Sequence, residues 1–231
     1  MPSKLYKEKI GMVDRTKFYT LEDAIALIKE MPKAKFDETV EIAFKLGIDP
    51  KKSDQGVRGA VTLPNGTGKS VTVLVIAEGD QADAAKAAGA DFVGYEDLIN
   101  KIKGGWADFD VMIATPAAMQ KVRPLGRVLG PRGLMPNPKT GTVTENVAEA
   151  VNEAKKGRVE YRADRTACVH VPAGKVSFDA SALVENCRTV VTALDSAQPD
   201  GLKKAYYLSC TVSSTMGPGV KVDLKDLVRG K

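Results

Sequence analysis

Five cations and no carboxylate share residues 111–144: Lys121, Arg123, Arg127, Arg132 and Lys139. Within that stretch, residues 126–141 read GRVLGPRGLMPNPKTG, with neither a helical nor a strand period. Glycine lets a backbone come close to a partner. Proline stiffens the loop, and cations without neighbouring anions suit a polyanion. The plain alternative is a solvated surface loop. A structureless loop of this length is uncommon in a compact domain and is often functional.

Other chemistries have less to build on. The single histidine, His170, lies in an apolar alternating segment, residues 167–171. A strand histidine that packs or faces a partner outweighs a catalytic base there. No Cys-x-x-Cys or His-x-x-x-His spacing exists, so neither a transition metal nor any other cofactor is expected. The three cysteines, Cys168, Cys187 and Cys210, are odd in number and far apart, which suits a reducing compartment. Residues 65–70, NGTGKS, invite comparison with a phosphate loop. That motif needs a glycine where Leu63 stands and a helix after the loop, so the run is read as a turn. GRVLGPRG has the wrong spacing for a dinucleotide fingerprint. A nucleotide-binding or enzymatic α/β module with an incidental basic surface is the rival reading. The acidic run EGDQADA after Ala77 counts against it, because it repels phosphate.

The 231 residues are 43% hydrophobic, 27% charged and 6% aromatic, with net charge +5. This supports real cores, and it suits nucleic acid only where the charge is clustered. No apolar run approaches the roughly 20 residues of a membrane span. The start, MPSKLYKEKI, shows no secretory signal. A cytoplasmic protein without membrane attachment is expected.

The elements alternate in style. Residues 1–18 are basic and aperiodic, and are read as an arm or an irregular start. A helix follows Thr20, with Leu21, Ala24, Ile25 and Ile28 as its stripe. Residues 39–48 alternate: Val40, Ile42, Phe44, Leu46 and Ile48 inward, Thr39, Glu41, Ala43, Lys45 and Gly47 outward. That is a half-buried antiparallel strand. Another strand is expected at 59–63. Residues 71–77 and 111–114 are apolar on both faces, as buried parallel strands are. Between them come a helix capped by Asp80, a short strand at 91–94 and a helix at 95–103. Thr144 is expected to cap a helix that Gly157 stops. Strands return at 158–162, 168–171 and 206–212, with a helix at 181–194. On the last strand Leu208, Cys210 and Val212 are expected inward, and all three cysteines on core faces. The simplest architecture inserts an α/β domain, residues 67–157, into a discontinuous α+β domain, residues 1–66 and 158–231. Two short connections make a hinge plausible.

Residues 214–222, STMGPGVKV, follow the last strand directly. Alone they read as a β-turn with a surface methionine. Beside Lys35–Phe36 and the outward Thr39, Glu41 and Lys45 they suggest more: Phe36 stacking on a base, and hydroxyls reading an RNA backbone. Phe36 as plain core is the alternative.

The run LGRVLGPRGLMPNPKTGTV resembles the signature of the L-one family, the first protein of the large ribosomal subunit. AKFDETVEIAFKLGIDPKKSDQGVRG and STMGPGV resemble two further segments of that family. Length and N-terminal arm look bacterial. The resemblance implies a two-layer discontinuous α+β domain with an inserted three-layer Rossmann-like domain joined by a hinge. It implies a non-enzymatic, ribosome-bound protein, monomeric off the ribosome. The first domain would grip large-subunit ribosomal RNA in a mobile stalk that contacts exit-site tRNA and assists its release. The protein would also repress its own operon mRNA. Carried over by motif, the RNA-facing positions are Lys35, Phe36, Thr39, Glu41 and Lys45, then Ser209, Thr215, Met216, Gly217 and Pro218. Arg162, Arg165 and His170 are further candidates, and Gly219 is expected to accept another small residue. Arg123, Arg127, Arg132 and Lys139 are assigned to secondary RNA or tRNA contact, or to loop structure.

Overall fold

A computed structural model of the chain describes residues 4–32, 34–200, 202 and 205–228. The first segment carries α1 (Lys4–Gly11), α2 (Leu21–Glu30), β1 (Thr39–Leu46) and β2 (Arg58–Thr62). The middle segment carries β3 (Val73–Ile76), α3 (Asp80–Ala87), β4 (Phe92–Gly94), α4 (Glu96–Lys103), β5 (Val111–Ala114), α5 (Met119–Val122), α6 (Gly126–Leu129) and α7 (Val147–Lys155). The last segment carries β6 (Arg158–Arg162), β7 (Cys168–Lys175), α8 (Ala180–Ser196), β8 (Tyr207–Ser214), β9 (Val220–Val222) and α9 (Leu224–Val228). The fold is mixed α/β with several sheets. Its contacts divide it into two compact units, residues 1–68 with 159–231, and residues 69–158.

The first unit is built on an antiparallel sheet in the order β7-β1-β8-β9. β1 alternates as its sequence does: Val40, Ile42, Phe44 and Leu46 are buried, while Glu41 is exposed. The inward rows of all four strands pack on Leu21, Ile25 and Ile28 of α2 and on Leu183, Cys187, Val190 and Leu194 of α8. Burying each such side chain contributes roughly 1.5–3 kcal/mol. Helices thus cover one face of the sheet, and the other stays polar.

The second unit holds a parallel sheet in the order β4-β3-β5. Every residue of β3 is buried, and successive side chains enter different cores. Leu74 and Ile76 meet Leu98, Ile99 and Ile102 of α4, while Val73 and Val75 meet Ala85 of α3 and Val147 and Val151 of α7. Residues 65–70 lead straight into β3, without the helix a phosphate loop needs.

Several expectations need correction. Residues 4–11 of the arm form a helix, α1, while 12–18 stay irregular and residues 1–3 lie outside the described residues. α3 begins after Gly79, with Asp80 inside its first turn rather than as its cap. α7 begins after Asn146, and Thr144 instead accepts the Asn146 N–H at 3.1 Å. The run 126–141 is not structureless. Leu125 and Leu129 are buried, α6 occupies Gly126–Leu129, and Thr140 and Thr142 are buried beneath Asn137. The register of β8 slips at the Lys45/Leu46 step, where Lys45 faces Ser209 and Leu46 faces Tyr207. This bulge throws Leu208 outward, to 51% exposure, and turns Tyr207 toward Phe44. Cys187 and Cys210 are buried, but Cys168 is half-buried on the outer face, next to inward Val169.

One buried polar hub ties α1 to the polar end of the sheet. Lys9 of α1 is 1% exposed, Glu38 is 4% exposed, and they pair at 2.9 Å. The same Glu38 oxygen accepts the Ala34 N–H at 3.0 Å. Its other oxygen accepts the Ser214 hydroxyl at 2.6 Å and the Met216 N–H at 3.0 Å. Burial pushes the Glu38 carboxyl up, and the donors from Ser214, Lys9, Met216 and Ala34 outweigh it, bringing it to about 2.

Removing one partner of such a pair strands the other charge. Lys9→Met is expected to lower unfolding free energy by about 3–5 kcal/mol, read from urea denaturation; an unchanged midpoint would refute the hub's importance. The depressed carboxyl also fixes a pH window. Its stabilisation is complete above the ordinary value of 4.5 and is lost as pH falls toward about 2. Between those limits wild type is expected to lose about 3 kcal/mol more than Glu38→Gln; parallel stability curves for the two would contradict this.

Candidate nucleic-acid interface

The outer face of the four-stranded sheet is read row by row from its register. Cys168, Lys45 and Ser209 form one row, and His170, Ala43, Thr211 and Lys221 the next. Pro172, Glu41 and Ser213 form a third, ending toward Lys175 and Thr39. The face is rich in hydroxyls and poor in large apolar groups. Outward small side chains leave backbone and hydroxyl groups within a ligand's reach, which suits shape reading of RNA.

Two loops rise where Thr39 begins β1. In the first, Lys35 and Phe36 are exposed, and Phe36 at 53% is a surface residue, not core. Both flanks are anchored: Ala34 donates to Glu38, while the Asp37 carboxylate accepts the Ser177 hydroxyl at 2.7 Å and the Ser177 N–H at 3.2 Å. In the second, Met216 is 52% exposed. Thr215 belongs to the frame as well as the surface. Its N–H donates to the Thr39 carbonyl at 3.0 Å, and its hydroxyl accepts the Thr39 N–H at 2.9 Å. Through Glu38 and Thr39, the two loops are held side by side.

The glycines and proline of the second loop serve its shape. A Cβ on Gly217 would lie 2.4 Å from the Ser214 hydroxyl oxygen, already committed to Glu38. Pro218 is buried, so it supports the turn rather than presenting a surface. Gly219 is more constrained than its sequence suggests, because an added Cβ would sit 2.7 Å from the Thr211 methyl.

The remaining first-unit candidates scatter around this face. Lys45 is half-buried and its ammonium reaches the Thr166 carbonyl. Glu41, Ser209 and His170 are exposed. Arg162 and Arg165 are exposed and line one cavity with Pro50, Ala163 and Asp164. The Thr166 hydroxyl and N–H and the Cys168 N–H hold the Asp164 carboxyl below its ordinary value. A separate cavity of about 900 Å³ lies against α8, lined by Glu22, Val61, Val184, Arg188 and Thr192 among others. None of the candidates reaches it, and Glu22 and Arg188 there pair with each other at 3.2 Å.

In the second unit Arg123, Arg127, Arg132 and Lys139 are all exposed. Lys121 differs. It pairs with Glu96 at 2.6 Å and lies over the Tyr95 ring, so its charge is partly spent within the protein. The sequence also passed over Phe18 and Lys221, both exposed at the β9 edge. The signal for Lys221 was present in the alternation of Val220, Lys221 and Val222.

No helix among the described residues is long and apolar enough to cross a membrane. The sequence matches a known family over most of the chain. The model of the ribosomal protein L1p/L10e family covers residues 28–218, and the chain belongs to that family, one of structural proteins of the large ribosomal subunit rather than of enzymes.

Proposed function

We propose that this chain binds a folded element of large-subunit ribosomal RNA through the outer face of its four-stranded sheet and the two loops beside it. The observation that carries this is the pair Lys35–Phe36 and Thr215–Met216, exposed together on a frame fixed by Glu38. Cations supply salt-dependent attraction, and hydroxyls, backbone and the two apolar side chains supply shape recognition. Glu41 fits such a face only as an acceptor, for a 2′-hydroxyl or an exocyclic amine, since it otherwise repels phosphate. Ser209, His170, Arg162 and Arg165 extend the contact.

Family membership supports the rest of the reading. The bound RNA forms a mobile stalk at the tRNA exit site, and the protein assists release of deacylated tRNA. A similar fold in its own operon mRNA is bound in repression. Arg123, Arg127, Arg132 and Lys139 take secondary contacts with RNA or tRNA. Residues 1–66 and 158–231 act as the RNA-binding domain, with 67–157 as the inserted one.

Filter binding to a ribosomal RNA stalk fragment and to a scrambled RNA of equal length, across a salt series, tests the reading. Tight binding to the stalk that survives high salt is expected, against weak and salt-labile binding to the control. Met216→Asp is expected to cost about 2–3 kcal/mol of RNA affinity with little change in unfolding midpoint. Thr215→Val is expected to weaken both binding and stability, because its hydroxyl holds Thr39, whereas Thr215→Ser restores both. Unaltered affinity in folded Met216→Asp removes the second loop from the site.

A further inference from the structure

The polar face does not end at β9. Residues 18 and 19 run beside that strand: the Tyr19 N–H donates to the Lys221 carbonyl, and the Asp223 N–H to the Tyr19 carbonyl, both at 2.9 Å. Phe18 is thereby held on the sheet edge at 61% exposure, above any other large apolar side chain among the described residues. The Lys221 ammonium lies 5.9 Å from the Phe18 ring centre and donates to the Arg15 carbonyl at 3.1 Å. The Lys17 ammonium lies 5.1 Å from the Tyr19 ring. Lys221 occupies the same outward row as Thr211, Ala43 and His170.

Arg15, Lys17 and Lys221 form no salt bridge with a described residue. The neighbouring carboxylates are turned into local structure. Asp14 accepts the Thr16 N–H and hydroxyl, Asp223 accepts the Lys225 N–H, and Asp226 accepts the Leu21 N–H. The exposed Phe18 ring thus stands beside Lys221, in a stretch that also carries Arg15, Lys17 and the exposed Asp14. A single ring is too small an apolar patch for a protein interface. It is the right size for one base, since every base offers a π-face and its flanking phosphates offer the counter-charge.

We infer that Phe18 is a stacking platform for one unstacked RNA base, with Lys17 and Lys221 holding the adjoining phosphates, as an extension of the sheet-face site. This rests on the RNA reading above, and the experiment separates the two. Stalk-fragment binding is measured across a salt series for wild type, Phe18→Ala, Phe18→Tyr and Lys221→Met, each with its unfolding midpoint. Phe18→Ala is expected to weaken binding about five- to a hundredfold, with Phe18→Tyr near wild type and both midpoints unchanged. Lys221→Met is expected to reduce the slope of log affinity against log salt by about 0.7–0.9. Wild-type affinity for the stalk no better than for scrambled RNA fails the sheet-face reading and this inference with it. Specific wild-type binding that Phe18→Ala leaves intact, or that Phe18→Tyr fails to restore, overturns the platform alone.

Discussion

The geometry of the candidate interface depends on one buried carboxylate. Glu38 receives four donors from three separated stretches of chain: Lys9 in α1, Ala34 before β1, and Ser214 with Met216 at the end of β8. Such a pair is a poor source of net stability, because desolvating two charges offsets most of their attraction. Its consequence is selectivity among arrangements. Any slip of the Phe36 loop or the Met216 turn leaves a buried charge without a donor, and that state is costly. The hub therefore acts as a register pin, and the surface residues inherit their positions from a buried group.

This explains why the site is compact although its residues are far apart in sequence. Thr39 and Thr215 are joined by backbone and hydroxyl bonds, and Lys175 donates to the Thr39 hydroxyl at 3.0 Å. The strands beneath carry their own register through Val40, Ile42 and Phe44 against α2 and α8. A preformed surface of this kind loses little freedom on binding, so more of its contact energy appears as affinity.

Elements whose apolar pattern decides their burial were legible in the sequence. β1, β3 and α8 needed only a period. Elements whose decisive residue is polar were not. α1 buries Lys9 rather than an apolar stripe, so its sequence read as a basic arm. Leu208 and Cys168 were misplaced because alternation cannot foresee a bulge or an outward cysteine. The run 126–141 hid the buried Leu129, in a single helical turn among glycines and prolines next to buried Leu125. Among the site residues, Phe36 and Met216 could be named but not placed. Their exposure follows from anchors at Ala34, Asp37 and Glu38, contacts that cross the chain and have no local signature.

The chemistry of the face sets it apart from a generic basic surface. The net charge of +5 is modest for 231 residues, and the central strand β1 carries outward Glu41 as well as Lys45. A surface designed only to attract phosphate would not place an acid there. Here Glu41 is flanked by Pro172 and Ser213, Lys45 turns to the Thr166 carbonyl, and Lys35, Arg162 and Arg165 lie off the four-stranded sheet. Peripheral cations attract any nucleic acid and lose strength in salt. A central carboxylate rejects a bare phosphate and accepts a hydroxyl or amine donor. On the proposed reading, discrimination comes from where a folded RNA turns its donors, so selectivity should outlast the screening of the charges.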